Sequence, residues 1–204
     1  MLAGSTGVFE ASDENPMTPA KAHDLFNIVG TSALTALTVA SHVVHSSWNL
    51  PLAIVLSIYL VLDSIWLALQ PEVAGGTEGG GAVTLLGHHV AALAIALHAA
   101  TWALHTQYTC WMTVVEINTL VLMIERQLAD GVLKAVANKI FIASWVATRL
   151  LWFPILSVRF SIMAGYPSLA RRLVCAACLA FLTVLQGLWT WNFLVPAERQ
   201  ITLY

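Results

Sequence analysis

Charge is what this chain has least of. In 204 residues it holds nine lysines and arginines and eleven aspartates and glutamates, together 10% of the chain. A soluble domain carries about 25%. So little polar surface cannot enclose a core in water, and a membrane-embedded domain is expected instead. The formal net charge of −2 leaves no basic patch, so nucleic acid is not an expected partner. Three cysteines do not make a disulfide scaffold. Cys175 and Cys178 stand three apart in an apolar stretch. A tetrahedral metal site needs two further ligands nearby, so both are read as small packing residues. Residues 1–24 lack the basic start and apolar middle of a secretory signal. They read as a polar, acidic tail with Glu10, Asp13, Glu14 and Asp24.

Apolar residues are what the chain has in excess, at 58% with a mean hydropathy of +0.77. They fall in long continuous runs, which argues for helices rather than the alternating segments of a β-barrel. The expected fold is an all-α, polytopic membrane bundle. About six transmembrane helices are expected, each of roughly 20 residues. The spans read as Asn27 to Trp48, Leu50 to Leu69, Ala82 to Leu104, Cys110 to Leu128, Ala137 to Leu156 and Leu173 to Leu194. Pro154 is expected to close the fifth span, and residues 73–81, rich in glycine, read as a flexible linker. One domain over 25–195 is expected, followed by a short tail over 196–204. Five basic residues on the side of the termini against three on the other favour cytoplasmic termini.

The few polar groups inside these spans are the candidate site, because each costs about 2.5–3.5 kcal/mol in lipid unless it pairs or meets water. Asp63 and the His88–His89 pair lie roughly one and a half turns in from the terminus-bearing side. His98, Glu116 and Arg149 lie deeper, so two polar layers are expected. In the deeper layer a Glu116–Arg149 ion pair is the cheapest arrangement. Trp145 and Trp152 flank Arg149, while Asn118 and Thr119 stand ready to hydrogen-bond between helices. In the shallow layer His88 and His89 point about 100° apart, so only one faces any given partner. Asp63 either orients one of them and sets its tautomer, or makes a His–Asp hydrogen bond that only satisfies two buried groups. His42, His45, His98 and His105 do not form the histidine boxes of membrane desaturases, and no metal site is expected.

Several motifs now stand in order. Tyr59-Leu60-x-x-Asp63 is followed by Gly87-His88-His89, then Glu116-x-Asn118-Thr119, then Arg149-Leu150-x-Trp152-Phe153-Pro154. This order, over about Asn27 to Leu194, resembles the TLC-domain family of ceramide synthases, translocating-chain-associated membrane proteins and small TLC-domain-containing proteins. The resemblance implies a bundle enclosing a lipid cavity for a long acyl chain, within the endoplasmic reticulum. In the synthase branch the matching histidines act in moving a fatty acyl group from coenzyme A to a sphingoid amine. By position His88 and His89 would be catalytic with Asp63, and His98, Glu116, Asn118, Thr119, Arg149 and Trp152 would bind substrate. Acyl-CoA enters as co-substrate, with no resident cofactor. One departure matters: ceramide synthases carry His-Asp-x-x-Asp in the helix after the paired histidines, where this chain has Glu116, Asn118, Thr119 and Glu125. In that respect it resembles the small TLC-domain branch, linked to membrane lipid composition and in some members to lipid N-acylation. An acyl-CoA-dependent N-acyltransferase is therefore one expectation. A non-catalytic regulator of lipid composition, a lipid sensor or a cargo receptor is the other.

Overall fold

The computed structural model describes residues 18–74, 81–163 and 165–194. The expected C-terminal tail, most of the N-terminal tail and the glycine-rich core of the linker lie outside the described residues. Regular structure within them is helical: α1 (Pro19–Val39), α2 (Asn49–Leu69), α3 (Gly81–Thr101), α4 (Ala103–Met112), α5 (Val115–Gln127), α6 (Val132–Trp145), α7 (Phe153–Ile162) and α8 (Leu169–Leu194). π-Helical turns extend α1 over Ala40–Val44 and join α6 to α7 over Val146–Trp152.

α1 begins inside the stretch read from sequence as tail. The Thr18 hydroxyl accepts from the Lys21 amide at 3.3 Å, and Pro19 sits in the first turn where its missing N–H is harmless. The helix buries a polar stripe of His23, Asn27, Thr31 and Thr38, with Leu34 among them. The turn into α2 is tight because Ser41 donates to the Asn49 side chain across it. In α2, the hydrophobic residues Ile54, Ile58, Val61, Leu62 and Ile65 point outward while Asp63 is 5% exposed. Polar groups inside and aliphatic ones outside reverse the order of a soluble protein, as lipid solvation requires.

Among the described residues five helical stretches are long and apolar enough to cross a membrane: Pro19–Val44, Ser46–Leu69, Gly81–Thr101, Val132–Ile162 and Leu169–Asn192. The shortest, at 21 residues, spans about 32 Å at 1.5 Å per residue, matching the hydrocarbon core. The segment expected as the fourth span folds differently. It divides into α4 and α5 at Thr113 and Val114. At the break Thr113 Oγ1 donates back to Thr109 O at 2.9 Å, a bond that competes with regular helix; a second, Thr106 Oγ1 to Ala99 O at 2.9 Å, spans the α3–α4 turn at Trp102. The pair still runs from one end of the bundle to the other. Trp102, just before α4, donates to Gly165 O in the α7–α8 connection at 2.6 Å. At the far end of α5, Arg126 and Gln127 meet Asp24 of α1 at 3.5 and 3.2 Å.

Pro154 does not close the fifth span. The helix continues from α6 through the π turn into α7, where Pro154 occupies the first turn. A proline ring clashes with the carbonyl four residues before it in α geometry, and the wider π turn just upstream absorbs that conflict.

Candidate functional site

Asp63 holds together three helices. Its Oδ1 accepts from His23 Nε2 of α1 at 2.6 Å, and its Oδ2 lies 3.4 Å from His89 Nε2 of α3. All three residues are less than a tenth exposed. The Asp63 carboxylate can only accept, so the hydrogen of the His23 ring is assigned to Nε2; the Asn27 amide nitrogen lies 3.4 Å from either ring nitrogen. Asn27 in turn accepts from the Tyr59 hydroxyl at 2.8 Å. On the other side Ser64 Oγ stands 3.3 Å from His89 Nδ1. Both ring nitrogens of His89 are thereby engaged by the protein.

His88 differs. Its ring packs against Trp189 of α8, with centroids 5.3 Å apart. Its Nδ1 is buried with no hydrogen-bond partner among the described residues. The two adjacent histidines therefore separate as their helical offset requires. His89 joins Asp63, and His88 keeps an uncommitted nitrogen.

Arg149 is carried into the bundle by the π turn and is 7% exposed. Its partners are neutral. Nε donates to Asn118 Oδ1 at 3.0 Å, one terminal nitrogen to Gln186 Oε1 of α8 at 3.1 Å, and the other to Thr119 Oγ1 at 2.7 Å. The guanidinium also lies 4.7 Å from the Trp145 ring centroid. Asn118, wholly buried, is saturated: its amide nitrogen donates to Phe141 O and Ser144 Oγ of α6 at 3.0 and 2.8 Å. The ion pair expected between Glu116 and Arg149 does not form; the two carry no contact of ion-pair length. Arg149 reaches its charge-neutral neighbours on α5 and α8, and Glu116 faces the cavity.

These groups line a single cavity of about 560 Å³. His23, Asp63, His88 and His89 form one wall, and Glu116, Asn118, Thr119, Arg149 and Trp145 another. Asp63, His88 and His89 of the expected shallow layer and Glu116 and Arg149 of the deeper one thus open into one space, which His98 does not line. A smaller cavity of about 50 Å³ shares Leu60, His88 and Glu116 with it and is otherwise mostly apolar, lined by Leu56, Ile95, Phe153, Leu179 and Leu182.

Two expected binding residues lie elsewhere. His98 Nε2 is 2.6 Å from His105 Nδ1, in an aromatic cluster with Phe160 and Tyr166. Trp152 is 40% exposed and donates to Trp111 O at 2.9 Å. The π turn explains the latter: it rotates Trp152 off the face that Trp145 and Arg149 share. His23, Asn27, Gln186 and Trp189 belong to the site and were not singled out by sequence. For the first two a signal existed, since Thr18-Pro19 opens a helix on which they are one turn apart.

Long apolar crossings with a polar interior define a multi-pass α-helical membrane protein. The family model for the TLC domain matches residues 26–195, and the chain belongs to the TLC-domain family. Searches of curated proteins and of solved structures found no match.

Proposed function

We propose that this protein handles membrane lipid by holding a long acyl chain in the cavity between α1, α2, α3, α5, α6 and α8, and that it transfers the acyl group from coenzyme A to a lipid amine. The observation that carries this reading is one cavity of about 560 Å³ with an uncommitted histidine, His88, at its junction with an apolar extension. Ligand sites typically measure about 300–1,000 Å³. In the proposed step the amine nitrogen attacks the thioester carbonyl carbon. The C–N bond forms, the C–S bond breaks, His88 takes the proton from the amine and passes it to the departing sulfur, and coenzyme A leaves as its thiol with His88 neutral again. Asp63, His23 and His89 position the wall on which His88 stands. The endoplasmic reticulum, where acyl-CoA and lipid amines meet, is the proposed site of action.

The test is purified protein supplied with long-chain acyl-CoA and amine acceptors. Acylated amine from wild type, lost in the His88→Ala/His89→Ala double variant, is the expected result. Equal turnover by both dismisses the catalytic role.

A second reading is favoured by the engagement of both His89 nitrogens, which suits a brace as well as a catalytic relay. In that reading the protein binds lipid without chemistry and regulates membrane composition, as a sensor or cargo receptor. Full rescue of a knockout's lipid profile by the double histidine variant would select it.

A further inference from the structure

The cavity holds a cation with no anion in contact. Arginine has five N–H hydrogens. Nε and the two terminal nitrogens of Arg149 each make one hydrogen bond, to Asn118, Gln186 and Thr119. One hydrogen is left on each terminal nitrogen. All three acceptors are uncharged, and the fourth neighbour is an indole face. Asp63 is occupied by His23 and His89, and Glu116 makes no ion pair. The positive charge is therefore fixed in place by dipoles with no carboxylate within ion-pair distance; Glu116, on the same cavity, acts on it only through space.

Asn118 is what makes this a receptor rather than a loose side chain. Its amide nitrogen is fully used by α6, so its oxygen can only face the guanidinium. Gln186, 1% exposed, holds the plane from α8. Gln186 and Glu116 both line the smaller cavity, whose other walls are mostly apolar, Leu56, Ile95, Phe153, Leu179 and Leu182 among them, with His88, Thr109 and Thr113. A fixed two-hydrogen cation in the larger cavity, tied by Gln186 to the wall of an aliphatic slot, is complementary to an anionic oxygen at the head of a single hydrocarbon chain.

Resting on the reading that the cavity binds an acyl chain, we propose that Arg149 is the receptor for the anionic head oxygens of a single-chain lipid, carboxylate or phosphate, with the start of the tail in the cavity bounded by Phe153, Leu179 and Leu182. During acyl transfer the same two hydrogens would meet the thioester oxygen as it gains negative charge.

The experiment uses the full chain purified in a neutral glycoside detergent at alkaline pH. Binding of hexadecanoic acid, hexadecyl phosphate, hexadecanol and hexadecylamine is measured by native mass spectrometry and by competition against a radiolabelled acid. Wild type is expected to bind at least one of the two anions about tenfold more tightly than the alcohol, as for a charge-assisted bidentate pair. The stronger of the two identifies a fatty acyl or a phospholipid source. Arg149→Gln is expected to bring the anions to within about twofold of the alcohol, and Arg149→Lys to keep part of the preference. Equal binding of acid, phosphate, alcohol and amine by wild type overturns the receptor while leaving the lipid reading intact. Binding of none of the four overturns the lipid reading itself. The wild-type ranking decides the question even should Arg149→Gln fail to fold.

Discussion

Replacing Gly30 by alanine tests whether α1 and α2 are as closely packed as the His23–Asp63 bond requires. A Cβ added at Gly30 would lie 2.5 and 2.6 Å from two ring carbons of Tyr59. Carbon contacts settle at about 3.5–4.0 Å, so the ring must retreat by about 1 Å. It has little room, being 8% exposed and stacked on Phe26 at 5.8 Å. Retreat also pulls the Tyr59 hydroxyl from Asn27, which lies 2.8 Å away. Overpacking costs about 1–3 kcal/mol and the hydrogen bond about 1 kcal/mol. Alanine returns about 1 kcal/mol through helix propensity. The net loss is about 1–3 kcal/mol, or a Tm lower by about 2–12 °C for a chain of this size. Thermal unfolding in detergent, followed by near-UV circular dichroism, measures it. Tyr59→Leu in the same chain removes the obstructing ring, so the two changes should couple by about 1 kcal/mol or more. A Gly30→Ala protein as stable as wild type, with no coupling to Tyr59→Leu, would refute the close approach.

Asp63→Ala leaves His23 and His89 buried without their shared acceptor. Its expected cost is about 3–5 kcal/mol, read from denaturant unfolding, whereas Asp63→Asn keeps an acceptor and should cost less than half of that. Asn118→Leu removes the bonds from the amide to Phe141 O and Ser144 Oγ and takes the acceptor from Arg149 Nε, for an expected loss of about 2–4 kcal/mol together with weaker lipid binding in the same preparation. Trp152→Phe removes only the bond to Trp111 O, about 1 kcal/mol, and should leave lipid affinity within about twofold of wild type. A Trp152→Phe protein that no longer binds lipid would return that residue to the site.

Much of the architecture was legible because lipid punishes polar side chains severely enough to make each one conspicuous. Asp63, His89, Asn118 and Arg149 stand out in apolar runs, and all face the cavity. The sequence was silent where local backbone detail decides. Periodicity counted at 3.6 residues per turn puts Trp152 beside Arg149, but the π turn between them breaks that count. Charge alone pairs Arg149 with Glu116, yet three neutral acceptors in fixed positions win the guanidinium instead. Residues up to Asp24 read as tail because their polarity resembles that of the preceding stretch. Only the Thr18-Pro19 helix start separates them, and His23 lies on the helix side of that boundary. His98 shares its helix with His89, but its ring turns to His105 across the break at Trp102.

The π turn at Val146–Trp152 gives one crossing two different neighbours. Before it, α6 packs on α5; after it, α7 packs on α8 and α4. A single uninterrupted α-helix would present one stripe along its whole length and serve one partner. The extra backbone step makes the register on either side independent. Shortening the segment by one residue would restore phase and swing every α7 side chain by about 100°, aiming Phe153, Leu156 and Phe160 away from their present contacts. The chain is therefore expected to tolerate many exchanges of residue type on the outer face of this crossing, but not a change in its length.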